Sequence, residues 1–220
     1  MKEGKVARVA RKGAKRAGVS LSKSSSSYHH GDLQDALIAA TEEILAVQGA
    51  EGFTLREAAR RAGVSPGAPA HHFGNASGLL TEVAILGYQE LARALKNAAS
   101  EKASAKQRLH GQGLAYLRFA LRHPGRFRLM FSNSRLLSDD PRLHAAAKSA
   151  YLELETTIVE MVGQAPDDIE IASISAWSAV HGFATLALEG RLGKKAAVKG
   201  QAAITALLGR MLENIWPLDR

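Results

Sequence analysis

Apolar residues recur at intervals of three and four positions along almost the whole chain after residue 28. That spacing is typical of amphipathic helices, and we find no alternation of apolar and polar residues that predicts a strand. Leu37, Ile44 and Leu45 indicate a first helix, with Asp32 as its N-cap and Gly49 just past its end. The pattern predicts an all-α protein.

Two short helices are predicted next. Thr54 opens a capping box, and the helix that it starts ends at Gly63, a residue suited to left-handed backbone. Ser65 is then predicted to cap a helix over about 66–73, with Pro66 at its first position. A helix, a short turn and a second short helix form the pattern of a helix-turn-helix, whose second helix enters the DNA major groove.

The rest of the chain predicts longer helices. They cover about 76–99, 105–122, 141–163, 167–189 and 196–216, with a short helical piece at 126–131. We interpret Gly111 and Gly113 as points of close helix contact or cavity lining. They do not indicate a phosphate-binding loop, because a third glycine and a preceding strand are missing.

Charge is concentrated at the N-terminus. The chain of 220 residues has a net charge of +8, and residues 1–27 hold eight basic residues against one acidic residue. The stretch SLSKSSSS at 20–27 is of low complexity, so we predict residues 1–27 to be a basic, disordered arm. Such an arm suits a polyanion, either DNA or an anionic membrane surface, although a solvated tail explains it equally well.

Composition excludes several classes of site. The chain has no cysteine, which removes disulfides, thiolate metal ligands and cysteine nucleophiles. No uninterrupted run of about 18 apolar residues is present, so we expect a soluble, cytoplasmic protein without a membrane partner. We find no carboxylate pair and no metal-spaced cluster that supports catalysis, and adjacent His71 and His72 point about 100° apart on a helix. We therefore expect no enzymatic activity, no cofactor and no metal.

Three stretches of the chain resemble the TetR family of transcriptional regulators. Residues 28–83, YHHGDLQDALIAATEEILAVQGAEGFTLREAARRAGVSPGAPAHHFGNASGLLTEV, are similar to the N-terminal DNA-binding domain of that family. Residues 176–192, AWSAVHGFATLALEGRL, resemble the Trp-His-Gly signature of one branch, and HPGRFRLMF adds to the likeness. The resemblance implies a helix-turn-helix domain at 28–76 and a helical effector-binding and dimerisation domain at 77–220.

The resemblance also implies a mechanism. The protein would be a ligand-responsive repressor that binds a pseudo-palindromic double-stranded operator as a homodimer. The last two helices would form a four-helix bundle with those of the partner, and a hydrophobic or aromatic small-molecule effector would change the spacing of the DNA-binding domains. The apolar stripe from Ile204 to Ile215, which includes Leu208 and Met211, is consistent with a dimer seam. Burial in its own core is the alternative for that stripe.

DNA-contacting residues follow from the same resemblance. Thr54 falls on a position that contacts phosphate, and Arg56 falls on one that can read a base, where a guanidinium suits guanine. The full predicted set is Thr54, Arg56, Ser65, Pro66, Gly67, Ala68 and His71. Ala70 and Ala76 depart from the family, which has a phosphate-binding tyrosine and a lysine there.

An effector pocket is predicted where aromatic residues and methionine gather in an otherwise aromatic-poor chain, because ligand sites are concave and mostly apolar. The predicted lining residues are Tyr116, Phe119, Phe127, Met130, Trp177 and His181. Trp177 and His181 lie one turn apart on a helix, and core packing or a dimer contact is the alternative for this pair.

Two other interpretations stay open. A helical small-molecule-binding module with weakened DNA contacts is favoured by Ala70 and Ala76. A membrane-surface protein is favoured by the basic arm. Binding to duplex DNA tests the first, and binding to anionic vesicles tests the second.

Overall fold

The fold is built from helices throughout the part of the chain that the structure describes. This computed structural model describes Met1 and residues 29–99, 104–132, 134–192 and 200–218, so the predicted arm lies outside the described residues apart from Met1. Within those ranges there is no strand. The helices are α1 (His29–Gln48), α2 (Leu55–Ala62), α3 (Ala68–Phe73), α4 (Ala76–Ala99), α5 (Ala105–Arg122), α6 (Pro124–Met130), α7 (Pro141–Val162), α8 (Pro166–Leu188) and α9 (Gln201–Ile215).

The start of α1 differs from the prediction. The helix begins at His29, so Asp32 lies inside it and is not its N-cap. An aspartate is favourable both as an N-cap and within the first helical turn, where its charge meets the positive end of the helix dipole, so the residue type alone does not separate the two positions. The predicted end is confirmed, because Gly49 has φ +69° and its N–H donates to the Leu45 carbonyl.

The helices α1, α2 and α3 pack as a helix-turn-helix unit against the first half of α4. Leu37 and Ile44 of α1, Ala58 of α2 and Leu79 and Leu80 of α4 are fully buried at this junction. The unit therefore shares one continuous apolar core with the rest of the described fold and leaves the outer sides of α2 and α3 to solvent.

α4 is the centre of the molecule. Beyond the helix-turn-helix it packs on α5, α6 and α7, while α8 and α9 pack against α5. Gly111 and Gly113 of α5 allow close contacts, because an added Cβ would lie 3.1 Å from the Ala98 carbonyl oxygen and 2.9 Å from Leu212 Cδ1 respectively. The interpretation of these two glycines is confirmed.

α6 joins the two halves of the fold. Gly125 lies against the backbone of α1 at Leu45, where no Cβ would fit. The Arg126 guanidinium binds Glu42 of α1 and Glu90 of α4, the latter at 2.6 Å. α6 thus links the helix-turn-helix unit to the centre of the molecule through both packing and charge.

Candidate functional site

The turn between α2 and α3 is fixed by local hydrogen bonds. The Thr54 hydroxyl caps α2 by accepting the Glu57 N–H at 3.2 Å, which confirms Thr54 as the N-cap. The predicted capping box is only half formed, because the Glu57 carboxylate binds Arg60 and Arg61 and not the Thr54 N–H. At the other end, Gly63 has φ +68°, and its N–H and that of Val64 bond to carbonyls of the last turn of α2. These bonds satisfy groups that a helix end leaves without partners, and they set the direction in which the chain enters α3.

The start of α3 corrects the prediction. The helix begins at Ala68 with Gly67 as its N-cap, so Ser65 is not the cap and Pro66 is not the first helical residue. Ser65 instead accepts the Ala68 N–H at 3.0 Å through its carbonyl oxygen, in a turn before the helix. This later start places Pro69 at the second helical position, where its missing N–H has no intrahelical partner to lose.

The predicted DNA-contacting residues lie on the outside of this unit. Ala68 is half-buried, and the others are exposed, namely Thr54, Arg56, Ser65, Pro66, Gly67 and His71. Thr54, Arg56 and Pro66 line one open recess, which Glu57 and Arg60 complete. The fold therefore brings the start of α2 and the turn before α3 to a common surface.

The charges around this recess favour an anionic partner. The Glu57 carboxylate accepts hydrogen bonds from Arg60 and Arg61, and these bonds lower its pKa to about 2. Its negative charge is thus compensated by two arginines. Among the residues that the structure describes, no carboxylate pairs with Arg56, so its guanidinium is available to a ligand. The sequence did not single out this Glu57 cluster, although its spacings of three and four residues are those of helix ion pairs.

α3 itself presents small side chains and the His71 imidazole to solvent. Ala70 is exposed, and Ala76, the first residue of α4, is half-buried against the core. His71 is exposed, whereas the half-buried His72 ring lies near Phe73 with ring centroids 6.4 Å apart. The methyl groups at positions 70 and 76 cannot donate a hydrogen bond to an anion.

A second candidate site is a cavity of about 460 Å³ between α4, α5, α7, α8 and α9. Of the six predicted lining residues, Tyr116 and Trp177 line it. Phe119, Phe127 and Met130 are instead buried in the core. The residues that sequence reasoning missed include Tyr88, Gln112, Lys148, Tyr151 and Trp216.

His181 lies behind the wall of the cavity and supports it. Its Nδ1 is 2.8 Å from the Tyr116 hydroxyl oxygen, and its ring stacks on Phe127 with centroids 5.4 Å apart. Burial lowers the pKa of His181 and raises that of Tyr116. Both groups are therefore neutral near pH 7, and this side of the cavity carries no charge.

An exposed apolar surface runs along α8. Ile171 is 66% exposed, and Ile174, Trp177 and Leu186 are also exposed. No uninterrupted apolar run is present in α8, yet an 18-residue window of it reaches a mean hydropathy of 1.4, enough in length and composition to cross a membrane. Among the residues that the structure describes, α8 packs on α5 and α7, and 28% of that window is buried.

The predicted stripe on α9 divides between the core and the surface. Leu208 is fully buried in its own chain and Leu212 almost so, which corrects the prediction for these two positions. Met211 is half-buried, and Ile215 is exposed. Only the outer part of the stripe is available to a partner, because the fold turns Leu208 and Leu212 towards α5.

Two family models match the chain. The model described as bacterial regulatory proteins, tetR family, matches residues 37–83, from α1 into α4. The model described as tetracyclin repressor-like, C-terminal domain, matches residues 109–211, from α5 into α9. Together the matches cover more than half of the chain. The Trp-His-Gly branch indicated by Trp177, His181 and Gly182 stays a prediction, as does the domain boundary at 76.

Solved structures share this fold. A protein of unknown function from Rhodococcus sp. RHA1 is 28% identical, with 88% of this chain and 100% of that chain covered and a TM-score of 0.70. The TetR family transcriptional regulator PfmR from Thermus thermophilus is 20% identical, with 85% of this chain and 97% of that chain covered and a TM-score of 0.65. A tetR-family regulatory protein from Rhodococcus RHA1 is 20% identical, with 86% of this chain and 98% of that chain covered and a TM-score of 0.65. No curated protein matches the chain significantly.

Proposed function

Since the chain belongs to the TetR family of transcriptional regulators, we propose that it is a sequence-specific DNA-binding repressor that a small molecule controls. The observation that carries the proposal is the exposed helix-turn-helix surface, where Thr54, Arg56 and Pro66 share one recess and Arg56 has no carboxylate partner among the described residues. A surface with an unpaired guanidinium, next to a carboxylate that two arginines neutralise, favours binding to the DNA backbone and to base edges.

We assign the contacts as follows. Thr54 binds a phosphate at the start of α2, and Arg56 reads a base through its planar guanidinium. The residues Ser65, Pro66, Gly67, Ala68 and His71 lie along the groove. The small side chains there let the backbone approach the bases closely, and the basic arm at 1–27 supplies phosphate contacts that Ala70 and Ala76 do not.

The repressor acts as a homodimer that binds two half-sites of a pseudo-palindromic operator in the cytoplasm. The exposed apolar residues of α8 support this, because a single chain rarely leaves such a surface uncovered. Gly182 of α8 and Gly209 of α9 have nothing within 4 Å of an added Cβ, which leaves room for a partner helix to approach. The last two helices therefore form the interface.

Ligand control follows from a difference in affinity between two arrangements of the dimer. An effector that binds the DNA-incompetent arrangement more tightly lowers operator affinity, and DNA lowers effector affinity by the same factor. Tyr88 lines the cavity and donates a hydrogen bond to the Met130 carbonyl of α6 at 2.7 Å. Because Gly125 and Arg126 hold α6 to α1, this bond provides a physical connection from the cavity to the DNA-binding unit.

A second candidate is a helical small-molecule-binding module with weakened DNA contacts. It is favoured by the alanines at positions 70 and 76, which contribute no phosphate contact. This candidate predicts ligand binding without selective retention of DNA.

The two candidates are separated by capture of sheared genomic duplexes from the source organism at physiological salt, in excess nonspecific competitor DNA. We expect the wild-type chain to enrich a small set of fragments and Arg56→Ala to lose that enrichment. Arg118→Ala is the matched control, since Arg118 is an exposed arginine of α5 and its replacement removes the same charge. No enrichment by the wild type, or equal loss with both variants, favours the second candidate.

A further inference from the structure

We propose that the cavity takes a neutral, mostly apolar ligand that donates one hydrogen bond to the side-chain oxygen of Gln112. The inference rests on the proposed ligand control and adds the chemistry of the ligand. It follows from Gln112 of α5. Among the described residues of α5, Gln112 and Tyr116 are the polar ones that are both buried and part of the cavity wall.

Gln112 has one half of its amide satisfied. It is 2% exposed and lines the cavity, and its Nε2 donates to the Glu153 carbonyl of α7 at 2.8 Å. Because a backbone carbonyl only accepts, the nitrogen must face Glu153, and this fixes the position of the oxygen. Oε1 is buried and has no hydrogen-bond partner within the part of the chain that the structure describes.

A buried acceptor without a donor is unfavourable, and native proteins satisfy nearly all such atoms. The two hydroxyl groups on α4 and α5 that line the cavity, those of Tyr88 and Tyr116, already have protein partners. The Tyr116 hydroxyl bonds to His181 Nδ1, and the Tyr88 hydroxyl donates to the Met130 carbonyl. Among the described polar side chains of α4 and α5 that line the cavity, Gln112 is thus the one with an unpaired buried atom, and we assign its Oε1 as the acceptor that the ligand completes.

The lining also determines the charge of the ligand. Its described residues include no carboxylate and no guanidinium, and the one charged group, the ammonium of Lys148, belongs to an exposed residue of α7. A charge placed beside Gln112 would lose its hydration without gaining a buried counter-charge. A volume of about 460 Å³ is within the range of small-molecule sites. These features fit a neutral alcohol, phenol or amide carried on an apolar skeleton.

The chain provides its own reporter of occupancy. It has two tryptophans, and both Trp177 and Trp216 line the cavity, so intrinsic fluorescence responds to a bound molecule. The probes are 4-cyclohexylcyclohexanol, its methyl ether and 4-cyclohexylcyclohexanecarboxylate, none of which absorbs where tryptophan is excited. The ether keeps the ring skeleton and the oxygen of the alcohol, adds one methyl group and lacks the donor, and the variants at position 112 separate the loss of the donor from the added size.

We expect the wild-type dimer to bind the alcohol about tenfold more tightly than the ether, since the ether leaves Oε1 unpaired. In Gln112→Leu, which removes the acceptor and keeps the bulk, the ratio should fall to about one. Gln112→Met is a second variant in case leucine does not pack, and thermal unfolding reports whether each variant is folded. The carboxylate should bind more weakly than the alcohol.

Equal affinity of the wild type for alcohol and ether overturns the inference, and so does a preference that persists in a folded variant at position 112. The inference is also overturned if no probe binds at concentrations up to its solubility limit. Tighter binding of the carboxylate than of the alcohol would contradict a neutral ligand and indicate that Lys148 binds the negative charge. These outcomes are separate from the proposed repressor function, because selective capture of DNA is measured without any probe. If the alcohol binds as expected while operator affinity does not change, ligand control fails and the assignment of Gln112 stands.

Discussion

Gly125→Ala should loosen the attachment of α6 to α1. An added Cβ would lie 2.6 Å from the Leu45 carbonyl carbon, 2.7 Å from its oxygen and 2.8 Å from the Ala46 nitrogen. All three atoms are backbone, so no side chain can move aside. Carbon atoms pack at about 3.5–4.0 Å, and α6 must therefore withdraw from α1 by about 1 Å. That movement also pulls Arg126 from Glu42.

Forcing a methyl group into such a contact costs about 1–3 kcal/mol. For a chain of this size the melting temperature should fall by about 2–4 °C per kcal/mol. The assay is thermal unfolding followed by circular dichroism, with all variants at one protein concentration because a dimer unfolds at a concentration-dependent temperature.

Gly87→Ala is the matched comparison. Its added Cβ would meet Met130 Sδ at 2.6 Å and Arg126 Cδ at 2.9 Å, which are side-chain and not backbone atoms of the same helix α6. We expect a smaller loss of stability there, because a side chain can adjust its torsion angles whereas the backbone of α1 cannot move without displacing the helix. If Gly125→Ala is as stable as the wild type, or less harmful than Gly87→Ala, the reasoning about α6 is wrong.

Three further predictions concern DNA binding and assembly. Arg56→Ala should weaken binding to the best site by about 1–3 kcal/mol and relax base preference, as fluorescence anisotropy on single-base variants of that site will measure; a uniform loss on all sequences would contradict base readout. Deletion of residues 1–27 should reduce the slope of log affinity against log salt by about 0.9 for each phosphate that the arm neutralises; an unchanged slope means that the arm is only a tail. The double variant Ile174→Glu, Leu186→Glu should sediment as a folded monomer, because both residues are exposed in the single chain, and a surviving dimer places the interface elsewhere. Leu208→Glu should instead unfold the protein, because it places a charge in the core.

The sequence predicted the helices well because their signals are local. Thr54 and Gly63 act at the two ends of α2 as their residue types indicate. Asp32 and Ser65 did not cap their helices, since the same residue types also suit the first turn and the turn before a helix. Pro66 and Pro69 are both compatible with the first turn of a helix, so residue type alone did not separate the predicted start at Pro66 from the observed start at Ala68.

The cavity was harder to predict because it depends on how distant helices face one another. Aromatic content located Tyr116 and Trp177, but Phe127 and Met130 turn towards the core. Periodicity shows which residues share a helix face and not which neighbour that face meets. Gln112 lies on such a face, and only its contact with the Glu153 carbonyl distinguishes it from any other glutamine.

Recognition of DNA by a symmetric dimer is the proposal on which the others depend. Selection of bound duplexes from a random pool by the full chain at physiological salt is the decisive experiment. We predict enrichment of an inverted repeat whose two half-sites are related by two-fold symmetry, because each helix-turn-helix of a homodimer reads the same sequence. A pool that stays random after repeated rounds, or that converges on a single site without symmetry, contradicts this proposal.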